Sequence, residues 1–317
     1  MLRRLMRRVA QGRRQSGYHS RFGGLWTDRL DVETELERRR AAGCFTDEEA
    51  ERLRSWIRDG YVVLLGAVDH AVIDAVLADV ERAWSGQVDG LIAELGGVQE
   101  PVGPHARKRH TKLLDLHVVS EAARRAIFAP PLLRFLELVC ESEPVAFQSL
   151  AFDNGSGQPI HQDTAYVVVT PPLAFLASWI ALEDIRPGSG ELAYYVGSHR
   201  LPEHVFASGL RNWNRKRDGD GANAAYLDDL VRRSEAAGLE RRTFLPRKGD
   251  VLLWANDLAH GGSTVTDPDA TRRSLVTHYC PQDAQPYYTS YRPQQRWRRR
   301  AGQGGWISSS YYGEPGL

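Results

Sequence analysis

A chain of 317 residues, 42% of them hydrophobic, can bury one large core or two modest ones. Its 41 basic residues nearly balance its 40 acidic residues, so the formal net charge of +1 excludes a general attraction to nucleic acid. Its apolar runs all fall short of the roughly 18 residues that a membrane-spanning helix requires, and we expect no transmembrane segment.

The N-terminal segment, from Met1 to Thr27, contains arginines but no acidic residue. It lacks the apolar region of a signal peptide. Its composition is typical of a solvated chain end, and it also suits an organelle transit peptide or a short membrane-surface helix. The three widely spaced cysteines, Cys44, Cys140 and Cys280, predict buried hydrophobic side chains in a reducing compartment rather than a disulfide framework. We therefore expect a cytoplasmic protein, with organelle targeting through the N-terminal segment as the alternative.

Helical patterns dominate the chain before residue 144. The predicted elements are a helix that follows the capping-box pattern Thr46–Glu49 and stops at Gly60, a strand at 61–65, and helices at 71–84, 121–128 and 131–140. The polar, glycine-rich stretch 88–109 predicts a loop, and such a loop could cover a site.

Short strands dominate the chain after residue 144. They are predicted at 145–152, 165–169, 174–182, 192–196, 243–245, 250–255 and 274–279, with proline and glycine between them. Many short strands in one half of a domain indicate a sandwich or barrel, such as the eight-stranded jelly roll. We predict a mainly β fold with flanking helices (α+β) around a double-stranded β-helix core. Its predicted parts are a basic extension at 1–44, one domain at 45–282 with an insertion at 202–238 that contains a helix, and a tail at 283–317.

A histidine and a carboxylate stand one residue apart at His161 and Asp163. In an extended segment they project from the same face, because strand side chains alternate with a period of two. His260, which follows a strand pattern and precedes a glycine pair, supplies a second histidine. Two histidines and one carboxylate form the facial triad of non-haem Fe(II) enzymes, which leaves positions open for substrate and O₂.

Arg272 opens the last predicted strand and shares a face with Ser274, Val276 and His278. A planar guanidinium beside an iron site can bind the distal carboxylate of a dicarboxylic acid with two hydrogen bonds, while the 2-oxo acid end chelates the metal. The sequence therefore predicts a site for a metal together with a dicarboxylic 2-oxo acid.

Four blocks, taken in order, resemble the phytanoyl-CoA dioxygenase-like family of Fe(II)/2-oxoglutarate-dependent oxygenases. They are His161–Asp163 with Tyr166, Ser178–Asp184, Gly190–His199, and Gly249–Trp254 continued through His260 to Arg272. A joint match in order is far more specific than any single short motif.

The resemblance implies a role for each matching residue. His161, Asp163 and His260 would be both the Fe(II) ligands and the catalytic centre. Co-substrate contacts would come from Arg272 rather than Arg273, from Trp179, and from Lys112. Gln148, on the strand before the motif, either faces the same cavity or is a structural glutamine.

The resemblance also implies a reaction. With Fe(II) as the cofactor, 2-oxoglutarate and O₂ would be consumed to oxidise a small-molecule or carrier-linked substrate. Succinate and CO₂ would be released, and ascorbate would act as an activator in vitro. Halogenases of the family have Ala or Gly at the position of Asp163, so the carboxylate here favours hydroxylation of an aliphatic carbon or a related oxidation. The alternative is a non-catalytic metal-binding jelly-roll module that acts by binding a partner.

Several other features have more than one interpretation. His199 predicts a structural turn rather than a further ligand, whereas His278 and Tyr166 suit either the pocket wall or the core. The tail alternates aromatic residues with arginines. It could fold over the active site, pack across a dimer, bind an anionic partner, or carry no chemistry.

Overall fold

The computed structural model describes residues 17–288, 297–309 and 311–313. Seven α-helices occur in these ranges: α1 (Val32–Ala41), α2 (Asp47–Asp59), α3 (His70–Trp84), α4 (Glu121–Ile127), α5 (Pro130–Cys140), α6 (Arg215–Asp218) and α7 (Gly221–Ala236). None of them is long and apolar enough to cross a membrane. Most of the arginine-rich N-terminal segment lies outside the described residues.

Fifteen strands occur in the described ranges. They are β1 (Tyr61–Leu64), β2 (Ile92–Leu95), β3 (Val98–Pro101), β4 (Lys112–Leu114), β5 (Val145–Phe152), β6 (Val167–Thr170), β7 (Leu176–Ala181), β8 (Leu192–Tyr195), β9 (Arg241–Phe244), β10 (Val251–Ala255), β11 (His260–Gly262), β12 (Ser274–Cys280), β13 (Gln285–Tyr288), β14 (Arg299–Arg300) and β15 (Trp306–Ile307). The main sheet has the order β1-β10-β7-β12-β5-β4-β2-β3, and its pairs along this path are antiparallel. Smaller sheets are formed by β11-β8-β9 and by β13-β6.

The main sheet separates two layers of packing. On β7, Leu176 and Ile180 belong to the core shared with the helices. Trp179, between them, packs on the other face with Tyr194 of β8 and Phe244 of β9. Because successive side chains of a strand point to opposite faces, one strand serves both layers. Two facing antiparallel sheets with helices outside confirm the predicted mainly β class and agree with a jelly roll.

Helix α2 shows how the outer layer is built. The Thr46 hydroxyl accepts a hydrogen bond from the Glu49 N–H, and the Glu49 carboxylate accepts one from the Thr46 N–H, so the predicted capping box is confirmed. Gly60 ends the helix at a positive φ of 80°. Between these caps Trp56 is buried against Phe135 of α5, with ring centroids 5.5 Å apart. Burial of an aromatic side chain of this kind contributes roughly 1.5–3 kcal/mol.

Two local predictions were wrong. Stretch 88–109 contains the β2–β3 hairpin, and Gly96 and Gly97 form its turn with φ of 59° and 85°. Positive φ at both central residues is what a two-residue hairpin turn needs, and glycine adopts it without strain. Cys44 is exposed, just beyond the end of α1, whereas Cys140 and Cys280 are buried as expected.

The described part of the tail packs on the main sheet. Strand β15 runs parallel to the start of β5, and the Ser308 N–H donates to the Ala146 carbonyl at 2.9 Å. Next along the tail, the Ser309 hydroxyl donates to Asp115, a carboxylate with no exposed surface. Residues 289–296, 310 and 314–317 lie outside the described ranges.

Asp115 should make stability depend on pH. Burial raises the pKa of its carboxyl to about 8, although hydrogen bonds from Ser309 and from the Ser149 N–H oppose this. Between about pH 4 and pH 8 the folded chain keeps this proton and the unfolded chain has lost it, so stability falls as pH rises. In urea unfolding, the free energy of unfolding of Asp115→Asn should not show this fall. Relative to the parent protein it should therefore rise by about 1.4 kcal/mol per pH unit across this window.

The exposed Asp269 offers the matched control. Asp269→Asn should follow the parent protein at each pH. Parallel curves for the parent and Asp115→Asn would show that this carboxyl carries no proton in the folded state.

Candidate metal centre

Two backbone hydrogen bonds join the segments that carry the candidate ligands. The N–H of His161 donates to the carbonyl of His260 at 2.8 Å, and the N–H of His260 donates back at 2.9 Å. The two rings therefore lie close together, with centroids 4.5 Å apart and planes tilted by 49°. A Cβ atom at Gly261 would lie 2.8 Å from backbone atoms of Pro159 and Ile160, so only glycine permits this approach.

The Asp163 side chain lies beside the two histidines, but the backbone that places it is not the predicted strand. His161 forms a single bridge rather than a strand, and Asp163 begins a 3₁₀ turn that runs to Ala165. Gln162 between them is extended, so the two side chains still project to one side. The Asp163 Oδ1 atom lies 3.6 Å from His161 Nε2 and 3.7 Å from His260 Nε2.

The three candidate ligands form a buried donor set. One ligand atom from each lies within 4.8 Å of the others, and the residues are only 5–6% exposed. Within the described ranges this is the one group of three or more His, Cys, Asp or Glu side chains with such spacing. Two imidazoles and a carboxylate suit a divalent transition metal, and a single ion could contact all three.

Both histidines are oriented to leave Nε2 free for a metal. His161 Nδ1 is 2.8 Å from the Pro159 carbonyl, and His260 Nδ1 is 2.8 Å from the Leu258 carbonyl. A carbonyl can only accept, so the proton must sit on Nδ1 and the lone pair on Nε2. Burial lowers the pKa of His260 to about 4, which keeps this ring neutral near pH 7.

Asp163 is held through its other oxygen. The Trp254 indole N–H donates to Oδ2 at 2.8 Å, and His278 Nε2 lies 3.3 Å from the same atom. Burial raises the pKa of the carboxyl, but the neighbouring His260 and His278 rings lower it by more, so the pKa lies well below its usual range. The ligand is therefore a carboxylate near neutral pH.

Arg272 lies inside the sandwich with 2% of its surface exposed. Its Nη1 donates to the Gly190 carbonyl at 2.9 Å, and its guanidinium carbon is 5.7 Å from the centre of a Trp179 ring. Its Nε has no hydrogen-bond partner in the described part of the chain. Burial lowers the pKa of Arg272 to about 10, against the attraction of Glu191, so the group stays charged near neutral pH. A buried guanidinium with a free donor suits an anionic ligand.

The other predicted contact residues lie around this interior. Trp179 is 1% exposed, and its indole N–H has no partner among the described residues. Gln148 pairs with His278 across β5 and β12, and its amide donates to the Tyr311 hydroxyl of the tail at 2.8 Å. Lys112 forms an ion pair with Glu94 at 2.8 Å. These assignments to the co-substrate stay predictions.

Two contacts escaped the sequence interpretation. Trp254 shares a face of β10 with Leu252, as alternation along a strand requires, but no motif indicates that its indole donates to Asp163. Tyr226 of α7 accepts a hydrogen bond from the Gln162 N–H and donates to the Gln162 side chain, both at 3.2 Å. The insertion therefore supports the residue between two candidate ligands, a role that no local motif signals.

His199 lies apart from this group. It occupies a 3₁₀ turn after β8, and its Nε2 is 3.1 Å from the Ile57 carbonyl. The structural interpretation of this histidine therefore agrees with the geometry. Tyr166 lies beside His161, with ring centroids 5.6 Å apart, and its hydroxyl donates to Asn223 of α7.

Comparisons with known proteins agree with the fold. The sequence model of the family described as phytanoyl-CoA dioxygenase (PhyH) matches residues 56–274. The search of curated protein sequences gave no match. Three of the similar solved structures are described below, and each is too distant in sequence to show more than a shared fold.

Each of the three is described by its own function. The carbocyclase SnoK from nogalamycin biosynthesis, called non-heme and alpha ketoglutarate dependent, is 18% identical over 84% of this chain and 98% of its own, with a TM-score of 0.58. The epimerase SnoN, in complex with Fe³⁺, alpha ketoglutarate and nogalamycin RO, is 20% identical over 80% of this chain and 86% of its own, with a TM-score of 0.52. EctD from S. alaskensis, with 2-oxoglutarate and 5-hydroxyectoine, is 18% identical over 75% of this chain and 76% of its own, with a TM-score of 0.51.

The ligand set predicts how metal binding responds to substitution. His260→Gln removes one of three donors, so the affinity for Ni²⁺ should fall at least about tenfold in a calorimetric titration. His199→Gln changes a histidine in the same half of the chain and should leave the affinity unchanged. Equal loss in both variants would place the metal elsewhere.

Proposed function

The chain belongs to the phytanoyl-CoA dioxygenase family, and we propose on this basis that it is a non-haem Fe(II)- and 2-oxoglutarate-dependent oxygenase. The proposal assigns His161, Asp163 and His260 as the Fe(II) ligands. It assigns Arg272 as the residue that binds the distal carboxylate of 2-oxoglutarate. It takes the outcome as hydroxylation of an aliphatic carbon in a small-molecule or carrier-linked substrate.

One observation carries the proposal: a buried three-ligand group shares its interior with a buried arginine that has a free donor. A structural metal needs neither an open coordination position nor a cation beside it. A dicarboxylic 2-oxo acid needs both, because one end chelates the metal and the other requires a cationic partner. This favours the enzyme over the alternative of a non-catalytic metal-binding module.

The residues would divide the work as follows. Bound Fe(II), 2-oxoglutarate and O₂ would supply the oxidising chemistry, with succinate and CO₂ as products. His161, Asp163 and His260 would hold the metal. Arg272 would fix the direction of the co-substrate, and Trp179 would form a wall beside it. The low exposure of the ligands, 5–6%, would exclude bulk water from the reacting groups.

Asp163 bears on the type of reaction. A carboxylate occupies the coordination position that a halogenase must leave to a halide ion, so oxidation without halogen transfer is favoured. Similar structures include an epimerase and a carbocyclase by their own descriptions. Hydroxylation is therefore one of several oxidative outcomes for such a centre, and it is the one that we propose.

Substrate recognition would fall to residues beyond the metal ligands. Gln148, Tyr166 and Tyr311 are polar side chains attached to the walls of the sandwich near the ligands, and each of them contacts another polar group. Lys112 is already paired with Glu94. These groups favour a substrate that is recognised by neutral hydrogen bonds over one that is recognised by charge.

Turnover of the co-substrate tests the enzyme class. With Fe(II), 2-oxoglutarate, O₂ and ascorbate, the protein should form succinate, and addition of the true substrate should accelerate this reaction. Asp163→Ala should reduce succinate formation at least about a hundredfold, because one ligand is lost and the metal is held less tightly. If the parent protein forms no succinate with any substrate of a broad panel, and binds no 2-oxoglutarate when loaded with metal, the proposal fails.

Two adjacent arginines provide a matched test of the co-substrate site. Arg272→Ala should weaken 2-oxoglutarate binding to the Ni²⁺-loaded protein at least about 30-fold, because a buried charge pair is lost. Arg273 is 37% exposed, and its guanidinium stands 3.9 Å from Glu183 on the opposite face of the strand. Arg273→Ala should therefore change binding less than about twofold. Similar losses in the two calorimetric titrations would refute the assignment.

A further inference from the structure

We propose that Trp254 and His278 are positioning residues that hold the outer oxygen of Asp163 away from the metal, so that the carboxylate binds through Oδ1 alone. The inference rests on the proposed function, since it concerns the same three ligands. It adds a reason why a coordination position stays open for the co-substrate.

Trp254 lies on β10, the second strand of the main sheet. Strand β10 lies between β1 and β7, where Trp254 pairs with Tyr61 on one side and Ala177 on the other. The residue is 2% exposed, and its ring centroid lies 4.7 Å from that of His260, with the ring planes tilted by 51°. An indole has a single N–H donor, and this one is committed to Asp163 Oδ2 at 2.8 Å.

His278 approaches the same oxygen from β12. It is 4% exposed, and its Nε2 lies 3.3 Å from Oδ2. The ring is otherwise flanked by Phe147 and Phe175, with centroids 6.0 and 6.3 Å away. Neither of its ring nitrogens makes a hydrogen bond in the described part of the chain. Nε2 is nevertheless within ion-pair distance of the carboxylate oxygen, so this buried ring is placed to contact Oδ2.

The two oxygens of Asp163 consequently face different surroundings. Oδ1 faces the Nε2 atoms of both ligand histidines at 3.6 and 3.7 Å. Oδ2 faces an indole N–H and an imidazole nitrogen. A carboxylate that is released from such donors can turn and bind a metal through both oxygens. A second oxygen would occupy one of the positions that a chelating 2-oxo acid requires.

This arrangement predicts an unusual separation of two affinities. Ordinary loss of support for a ligand weakens metal binding itself, typically by 10- to 100-fold. Loss of a restraint on Oδ2 would instead leave the metal held by as many or more oxygens, and it would obstruct the co-substrate. Metal affinity and co-substrate affinity should therefore respond differently.

The test compares Trp254→Phe, His278→Phe and the double variant with the parent protein. Trp254→Phe removes the indole N–H and His278→Phe removes both imidazole nitrogens, and each substitution keeps an aromatic ring in an apolar setting. Titration of Co²⁺ into each apo protein, followed by titration of 2-oxoglutarate into each Co²⁺-loaded protein, gives the two affinities. The visible absorption of bound Co²⁺ reports the change in its ligands directly.

We expect 2-oxoglutarate affinity to fall about tenfold in each single variant and further in the double variant, while Co²⁺ affinity changes less than about threefold. The Co²⁺ absorption without co-substrate should also change. Trp56→Phe is the control, because Trp56 is a buried indole whose N–H donates to Thr27 in the outer core at 3.2 Å. It should leave both affinities and the absorption as they are.

Other outcomes would overturn the inference. Parallel loss of Co²⁺ and 2-oxoglutarate affinity would mean that the two residues merely support the fold around the ligand. Unchanged 2-oxoglutarate affinity would mean that Oδ2 needs no restraint. If Trp254→Phe does not fold, His278→Phe decides the question alone. A parent protein that binds Co²⁺ but no 2-oxoglutarate would instead refute the proposed function.

Discussion

The pair of backbone hydrogen bonds between His161 and His260 is the constraint on which the centre of the molecule depends. The two residues are far apart in sequence, yet the bonds fix the distance and direction of both rings before any metal binds. Each ring is then tied to a carbonyl two residues earlier in its own segment. The geometry of the ligand group is thus a property of the backbone, and the side chains add little freedom to it.

Some polar groups in the interior have defined hydrogen-bond partners, and others do not. Gln162, between two ligands, is satisfied by Tyr226 and by the Asp257 carbonyl. Arg272 and Trp179 are less complete, since each has a donor without a partner in the described ranges. Unsatisfied donors at such depth cost stability. A bound anion, such as the proposed co-substrate, would give both donors an acceptor.

Local sequence patterns predicted the features that depend on residues close together in the chain, such as helix caps and strand faces. The capping box of α2 and the alternation of faces along β12 follow from short stretches, and the structure reproduces them. The spacing of His161 and Asp163 was informative although the segment is a bridge and a turn rather than a strand. The indole bond from Trp254 was out of reach, because it depends on the sheet order that places β10 beside the Asp163 turn. The glycine pair Gly96 and Gly97 is itself a signal for a hairpin turn. The strands on either side of it are polar and lie at a sheet edge, so they lack the apolar alternation on which the strand predictions relied.

The position of β15 also has a consequence for how the molecule is made. During synthesis β5 emerges before β12, which pairs along most of its length, and the segment that pairs with its first two residues follows some 160 residues later. Until then the nascent chain presents an unpaired strand edge next to the apolar side chains of Val145 and Phe147. Closure of the sheet is therefore among the last events of folding. A ribosome-bound chain that stops before Trp306 should be the form of this protein most in need of a chaperone.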